Sequence, residues 1–167
     1  MAAPVLLIVD AANVIGSVPD GWWRDRAGAT RRLRDSLARV PVEGLRLDQR
    51  PTGASGPAGS GLDLAGVPAP VEVVLVVEGV AREVAGTESV RVVAAAGSGD
   101  DAIVALVRQA SVATRGAAGN GHRSVVVVTA DRRLRERVRE LGATTIGPGA
   151  LIRLRTSDRR TGGAVGQ

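Results

Sequence analysis

The sequence has no cysteine, lysine, tyrosine or phenylalanine, and its aromatic residues are two tryptophans. The absence of cysteine excludes disulfide bonds and thiolate metal sites. No segment has the roughly 18 unbroken apolar residues that a membrane helix needs, and Met1–Pro4 lacks the basic start of a signal peptide. From these absences we expect a soluble cytoplasmic protein with no membrane partner.

The basic character of the chain has two explanations. All 22 basic side chains are arginine, against 17 acidic ones, so the formal net charge is +5. A high-GC genome would favour Arg codons together with those of Ala, Gly, Val and Pro. A basic surface around an acidic centre would instead suit a nucleic-acid substrate. Only the placement of the arginines separates the two explanations.

The length and loop composition predict one domain with two irregular segments. A chain of 167 residues can form a sizeable core but is short for two domains. We predict a single domain over residues 1–155 that contains a flexible insertion, rich in Gly and Pro, at residues 44–70. Residues 156–167 have the composition of a disordered polar tail.

Short runs of Val, Leu and Ile predict a mainly parallel sheet that is buried on both faces. The predicted strands are 5–9, 71–77, 90–95, 124–128 and 144–146, with a further candidate at 151–154. Helical patterns lie at residues 22–40, 100–114 and 132–141, the first with Asp20 as N-cap and the last ended by Gly142. Right-handed crossovers would make this α/β chain a three-layer α/β/α sandwich with a Rossmann-like sheet.

Carboxylates follow four of the predicted strands within a few residues. They are Asp10, Glu78, the pair Asp100 and Asp101, and Asp131. Each has an ordinary explanation as a turn residue, a helix cap or a solvated strand end. However, the carboxyl ends of parallel strands form one ligand-binding edge, where clustered carboxylates repel one another unless a cation joins them. With no competing Cys or His set, these oxygen ligands favour a hard divalent metal.

The segment Gly97–Ala102 matches the dinucleotide-binding pattern G-x-G-x-x-A. Its two aspartates would lie where a pyrophosphate must approach the helix N-terminus, so like charges oppose that function. No acidic residue about 20 positions later would hold a ribose, and no phosphate-binding P-loop is present. We therefore predict no nucleotide cofactor. The single histidine, His122, lies in a Gly/Asn turn typical of exposed loops, and no Ser/His/Asp triad can be assembled.

The segment Trp22–Arg26 contains both tryptophans and two arginines. Adjacent residues of a helix face different directions, so we expect one tryptophan in the core and the other free to stack on a base. Arginines of this segment, and two beside Asp131, could reach a phosphate backbone. The predicted substrate-binding residues are Trp22, Trp23, Arg24, Arg26, Arg132 and Arg133.

Four stretches in this order resemble the NYN branch of the PIN-like nucleases, and within it the YacP-like proteins of bacteria. They are residues 6–16, 76–79, 99–104 and 127–132, and together they span about residues 4 to 150. The resemblance implies a ribonuclease that depends on Mg²⁺ or Mn²⁺. Two departures are the insertion at 44–70 and Glu78, which stands where such proteins often have aspartate.

The resemblance also implies roles for individual side chains. Asp10, Asp100 and Asp131 would hold metal and Asp101 would be an accessory ligand. Asn13 and Thr129 would position a ligand or water. Glu78 is a further metal candidate.

Three functions follow as hypotheses. The first is a metal-dependent endoribonuclease that cleaves RNA phosphodiesters at the acidic edge. The second is an RNA-binding adaptor with the same fold and no catalysis. The third, a metal-dependent phosphatase or phosphotransferase, lacks the second aspartate of the usual nucleophile pattern because position 12 is Ala12. The sequence is compatible with a homodimer and does not decide the oligomeric state.

Overall fold

The structure, a computed structural model, describes residues 4–46, 66–116 and 123–151. Within these ranges the main sheet contains β1 (Val5–Asp10), β4 (Val71–Val77), β5 (Val90–Ala94), β6 (Val125–Val128) and β7 (Thr144–Ile146), all parallel. Two short strands, β2 (Leu45–Arg46) and β3 (Gly66–Val67), form an antiparallel ribbon. His122, the tail 156–167 and most of the insertion lie outside the described residues.

The strands of the main sheet are ordered β5-β4-β1-β6-β7. Strand β1 is central and buried along its whole length. Its register pairs Asp10 with Val76 of β4, and Val9 with Val128 of β6. Continuous apolar runs occupy β1, β4 and β6 because helices cover both faces of a parallel sheet, which leaves no solvated face for polar residues.

The helices are α1 (Ala11–Gly16), α2 (Arg26–Ser36), α3 (Val40–Glu43), α4 (Gly99–Gly116) and α5 (Arg132–Glu140). Short 3₁₀ helices span Trp22–Arg24 and Gly79–Glu83. Helices α1, α2 and α3 pack on one face of the sheet, and α4 and α5 pack on the other. Successive side chains of a β-strand point to opposite faces of the sheet. Alternate residues of the main-sheet strands therefore pack into the core beside α1, α2 and α3 or into the core beside α4 and α5. The predicted three-layer α/β/α sandwich is therefore confirmed.

The helix predicted at residues 22–40 is wrong in extent. The chain instead forms the 3₁₀ helix, then α2, then α3, although the predicted apolar stripe of Ala29, Leu33 and Leu37 is buried. The N-cap of α2 is Asp25, whose carboxylate accepts a hydrogen bond from the Gly28 amide at 2.8 Å, and not the predicted Asp20. A carboxylate at Asp25 supplies the acceptor that the first helical amides need, so the helix begins there.

Two other predictions require correction. The explanation of Asp10 as an ordinary turn residue is wrong, because Asp10 is the N-cap of the helix α1, which has buried Val14 and Ile15. The strand candidate at 151–154 begins at Leu151, which instead lies in a helical turn with residues 149 and 150 and is fully buried. The Leu151 amide donates a hydrogen bond to the Pro148 carbonyl, which closes that turn. Residues 152–154 lie outside the described residues.

The ribbon of β2 and β3 closes the base of the predicted insertion. Arg46 pairs with Gly66, and Leu45 pairs with Val67. Leu45 and Val67 are buried in the core on the face of the sheet that α1, α2 and α3 cover. Both ends of the insertion are therefore fixed to the domain. Among the helices of residues 4–46, 66–116 and 123–151, none combines the length and apolar character needed to cross a membrane.

Candidate functional site

The candidate site lies where the strand order reverses. From β1 the chain proceeds to β4 and β5 on one side, and β6 and β7 then continue the sheet on the other side of β1. In open α/β sheets, the crevice at such a switch point, outside the carboxyl ends of the strands, is the usual ligand site. Asp10 ends β1 and Thr129 directly follows β6, so both lie at this crevice.

Asp10 is a buried carboxylate held on both of its oxygens. Its Oδ1 accepts a hydrogen bond from the Asn13 amide at 3.2 Å, and its Oδ2 accepts one from the Thr129 hydroxyl at 3.0 Å. The side chain is 8% exposed. Burial raises the pKa of Asp10 from 3.8 to about 6; the two hydrogen bonds oppose the shift, and the charges of Asp100 and Glu78 add to it. The protein therefore keeps a carboxylate in a place that disfavours its charge.

A hydrogen-bond network joins the ends of β1 and β6. The Asn13 side-chain oxygen accepts from the Ala130 amide at 2.7 Å, and the Thr129 hydroxyl accepts from the Asp131 amide at 3.1 Å. The Asp131 Oδ1 accepts from the Leu134 amide at 2.8 Å and so caps α5. Four predicted site residues thus form one connected unit, and the helix-cap explanation of Asp131 holds beside any other role.

Asp100 and Asp101 occupy the first turn of α4. Asp100 is half-buried, and its pKa is raised first by burial and then by the charges of Asp131, Glu78 and Asp101, while Arg137 lowers it. Asp101 is exposed and forms a 2.9 Å ion pair with Arg137. Because Asp100 feels the carboxylates that follow β4 and β6, the acidic residues form one electrostatically coupled cluster at the sheet edge.

Glu78 caps α4 from another part of the chain. Its Oε2 accepts a hydrogen bond from the Gly99 amide at 2.8 Å, although 21 residues separate the two. The first amides of a helix lack partners within the helix, and a carboxylate there is also favoured by the helix dipole. Glu78 is therefore not simply a solvated residue at a strand end. Its carboxylate caps α4 and also contributes charge to the acidic cluster.

The oxygen ligands of this site suit a hard cation, but they do not form a complete coordination site as they stand. Carboxylate and amide oxygens are the ligands that Mg²⁺ and Mn²⁺ prefer. Within residues 4–46, 66–116 and 123–151, no group of three or more acidic or imidazole side chains converges closely enough to hold a metal ion. Carboxylate oxygens of Asp10, Asp131 and Glu78 instead accept hydrogen bonds from backbone amides. The predicted metal ligands stay a prediction, and ligation requires some of these side chains to rotate.

A cleft of about 320 Å³ opens beside the acidic edge. Its apolar lining includes Ala11, Ile15 and Ala81, and its polar lining includes Arg26 and Glu78. The two tryptophans differ, as expected from their adjacent positions. Trp22 is half-buried, packs against the core and lines the cleft, whereas Trp23 is 56% exposed. Their rings meet edge to face at 6.2 Å between centroids.

The predicted substrate-binding arginines occupy different surfaces. Arg26 lies over the Trp22 ring at 5.3 Å from its centroid, and Arg24 is exposed on the 3₁₀ helix. On α5, Arg132 and Arg133 are both exposed, and Arg132 pairs with a glutamate of its own helix. The structure therefore brings Arg26 to the cleft and leaves the other three as surface cations.

Two arginines of α5 that the sequence did not single out contact the site. Arg135 donates from Nε to the Thr129 carbonyl at 2.8 Å, which fixes the turn after β6. Arg137 is the cation that faces the acidic cluster through its ion pair with Asp101. Arg135 lies four residues after Asp131 and so on the same face of α5, and this spacing is the signal available in the sequence. Arg137 lies two residues beyond Arg135 on a different face, and no spacing signals its contact with Asp101.

Comparison with known proteins shows a likeness of fold. No protein-family model matches the sequence, and a search of curated proteins finds no match. The crystal structure of Rae1 (YacP) from Bacillus subtilis has a TM-score of 0.56 and 19% identity, and covers 96% of this chain and 78% of that chain. A tryptophan-to-leucine mutant of that protein has a TM-score of 0.58 and 17% identity, and covers 93% and 78%. The fold of this protein is therefore YacP-like.

Proposed function

We propose that this protein is a divalent-metal-dependent endoribonuclease. The observation that carries the proposal is the coupled acidic cluster at the switch point of a YacP-like fold. A buried Asp10 with a raised pKa is destabilising on its own, and such perturbed groups concentrate at functional sites. The sequence resemblance to YacP-like nucleases and the YacP-like fold point in the same direction. The finer placement in the NYN and PIN-like group belongs to this proposal.

In this proposal the site residues have separate tasks. Asp10 is fixed by Asn13 and Thr129, so it presents a carboxylate in one orientation at the crevice. Asp100 and Asp131 would complete the ligand set, with Asp101 as an accessory ligand. A bound Mg²⁺ or Mn²⁺ would activate water and neutralise charge on the phosphodiester.

Exposed arginines would hold the RNA backbone without reading its sequence. Arg26 lines the cleft together with Glu78, and Arg137 forms an ion pair with Asp101. Arg132 and Arg133 extend this basic surface along the start of α5. The arrangement of arginines around an acidic centre supports a polyanionic substrate over the codon-usage explanation alone.

Cleavage of labelled RNA with Mg²⁺ or Mn²⁺ tests the proposal. The variants are Asp10→Asn and Asp100→Asn, which keep size and remove charge. Glu88→Gln is the matched control, because Glu88 is exposed before β5, at the amino edge of the sheet opposite the site. We expect both aspartate variants to lose at least about 100-fold in rate, as loss of metal-site residues commonly causes, and the control to match wild type. Cleavage by Asp10→Asn at the wild-type rate would refute the proposal.

An RNA-binding adaptor without catalysis is the second candidate. It is favoured by the absence, within the described ranges, of three carboxylates already arranged around one point. For the adaptor we expect RNA to bind equally well in EDTA and in Mn²⁺, and equally to wild type and to Asp131→Asn. Such binding, without cleavage under any metal condition, would replace the nuclease proposal with the adaptor.

A further inference from the structure

The cleft beside the acidic edge has a composition that the proposed cleavage site does not account for. Metal-dependent hydrolysis needs the carboxylates, but it does not need an apolar recess with a tryptophan–arginine wall. The recess has about 320 Å³ of space, at the lower end of the roughly 300–1,000 Å³ of small-molecule sites. Its lining combines four aliphatic side chains, a tryptophan and a threonine with one planar cation and one carboxylate. This combination suits a flat heteroaromatic ring with hydrogen-bond donors at its edge.

We propose that this cleft binds one unstacked nucleobase of single-stranded RNA, with guanine preferred. The position of the base relative to cleavage rests on the proposed nuclease function, whereas the binding of the base does not. A base inserted in the recess cannot remain paired in a duplex. The inferred substrate is therefore RNA with an unpaired guanine next to the phosphodiester at the acidic edge.

The wall for the base is the stack of Arg26 on Trp22. The Arg26 guanidinium carbon lies 5.3 Å from the centroid of the Trp22 ring, in cation–π geometry. The indole limits the freedom of the guanidinium, so a planar group is held at the cleft before any ligand arrives. Unpaired RNA bases stack on arginine planes as well as on aromatic rings. Trp22 thus acts through Arg26 and through its own cleft-facing surface.

The edge of the base would meet Glu78 and two glycine backbones. Glu78 lines the cleft together with Gly79 and Gly97. An ionised carboxylate only accepts hydrogen bonds, and Glu78 keeps acceptor capacity beyond its bond to Gly99. Guanine presents two adjacent donors, its N1–H and its 2-amino group, whereas uracil presents one imino donor. The acceptor therefore selects guanine over uracil.

The position of Gly97 allows the recess to be filled by mutation. A Cβ atom built on Gly97 meets no atom within 4 Å, and its φ angle is not in the left-handed region. A leucine there would be tolerated by the backbone and would extend into open space at the cleft. Gly97→Leu therefore blocks the recess and leaves the aspartates of the acidic cluster unchanged.

The chemistry of this chain provides a label-free assay. Both tryptophans lie beside the cleft and the chain has no tyrosine, so all intrinsic fluorescence arises there. We would titrate GMP, AMP, CMP and UMP into a Trp23→Leu protein in EDTA and follow the emission of Trp22. The phosphate is common to all four probes, so differences between them report the base. We expect GMP to bind about tenfold more tightly than UMP, because the second donor of guanine adds a hydrogen bond to a charged acceptor.

Variants separate base binding from general attraction of anions. Arg26→Ala should weaken GMP binding about fivefold or more, as expected for loss of a stacking partner, and Gly97→Leu should abolish it. Glu78→Gln should reduce the preference for GMP over UMP. Arg31→Ala is the charge-matched control on the exposed face of α2 and should bind as the parent does.

Each outcome decides the inference independently of cleavage. Guanine-selective quenching that Gly97→Leu removes supports the cleft as a base site, even if RNA is never cleaved. Equal affinities for the four nucleotides, or quenching that persists in Gly97→Leu, would overturn it, even if the protein proves to be a nuclease. Because the titration contains EDTA and the cleavage assay contains metal, failure of one is distinguishable from failure of the other.

Discussion

Replacement of Asp10 by asparagine should make the protein more stable at neutral pH. Burial raises the pKa of this carboxyl from 3.8 to about 6. One pKa unit corresponds to about 1.4 kcal/mol, so the ionised carboxylate destabilises the native state by about 3 kcal/mol at neutral pH. Asparagine has no such charge and is as good an N-cap as aspartate. It would lose the bond from the Thr129 hydroxyl, at a cost of about 1 kcal/mol. The expected net gain is about 2 kcal/mol.

The sign of this effect depends on pH. Between pH 3.8 and about 6 the native state retains a proton on Asp10 that the unfolded chain has released. The unfolded state then binds fewer protons, so wild-type stability falls as pH rises through this window. Below the window the Asp10→Asn variant should be slightly less stable than wild type. Above it, the variant should be more stable by about 2 kcal/mol, or about 4–8 °C in melting temperature for a chain of this size.

Urea and thermal unfolding in EDTA, from pH 3.5 to pH 8, would measure the difference. Glu88→Gln is again the control, and we expect it to change stability by less than about 0.5 kcal/mol at any pH. Added Mn²⁺ should stabilise wild type and not Asp10→Asn, because a ligand stabilises only the state that binds it. A variant that is less stable than wild type at pH 8, or a difference that does not change with pH, would refute the reasoning.

Three further substitutions test the contacts around the site. Thr129→Val removes a buried hydroxyl that both donates and accepts a hydrogen bond, so urea unfolding should show a loss of about 1–3 kcal/mol in the free energy of unfolding. Thr129→Ser keeps the hydroxyl and should be nearly neutral. Equal losses in the two variants would contradict the hydrogen-bond network. Arg135→Met leaves the Thr129 carbonyl without its partner and should lower the free energy of unfolding by about 1 kcal/mol. Arg133→Met, on the exposed surface, is the control and should stay within about 0.5 kcal/mol of wild type. Gly99→Ala places a Cβ atom 2.8 Å from the Glu78 Oε2. It should cost about 1 kcal/mol in wild type and nothing in a Glu78→Ala background, as a double-mutant cycle would show.

The strands of the main sheet could be predicted from the sequence because they are short runs dominated by Val, Leu and Ile. The runs at 5–9 and 71–77 match β1 and β4 within one residue. A strand buried on both faces favours apolar residues along its whole length. The ribbon of β2 and β3 was not predicted, because strands of two residues carry no periodic signal.

The first helical region shows where periodicity is insufficient. The stripe of Ala29, Leu33 and Leu37 identified the buried face of α2 correctly. Its spacing does not show where the helix begins or ends, since those points depend on caps. Asp25 begins α2 through a side-chain bond to Gly28. Pro41, the second residue of α3, has no backbone N–H to donate to the Leu37 carbonyl, so α2 cannot continue through it as one helix.

At the site, the sequence could place residues on an edge but could not pair them. Strand ends located Asp10 and Thr129 at the same edge, and the parallel pairing of β1 with β6 makes them neighbours. The bond between Glu78 and Gly99 joins two loops and depends on the order of β4 and β5 in the sheet. No local pattern encodes such a contact. The ion pair of Arg137 with Asp101 was missed for the same reason, whereas the contact of Arg135 with Thr129 is local.

The network between β1 and β6 has a consequence for how mutations in this protein combine. Asp10 bonds the Asn13 amide and the Thr129 hydroxyl, Thr129 also accepts from the Asp131 amide, and the Asn13 side chain accepts from the neighbouring Ala130 amide. Residues that share a network show strong epistasis, and the effects of single changes do not add. Once Thr129 is lost, Asp10→Asn forfeits no hydrogen bond, so its stabilising effect should be larger than in wild type. A substitution in this group therefore has no fixed effect of its own, and its partners must be reconsidered whenever one of them is redesigned.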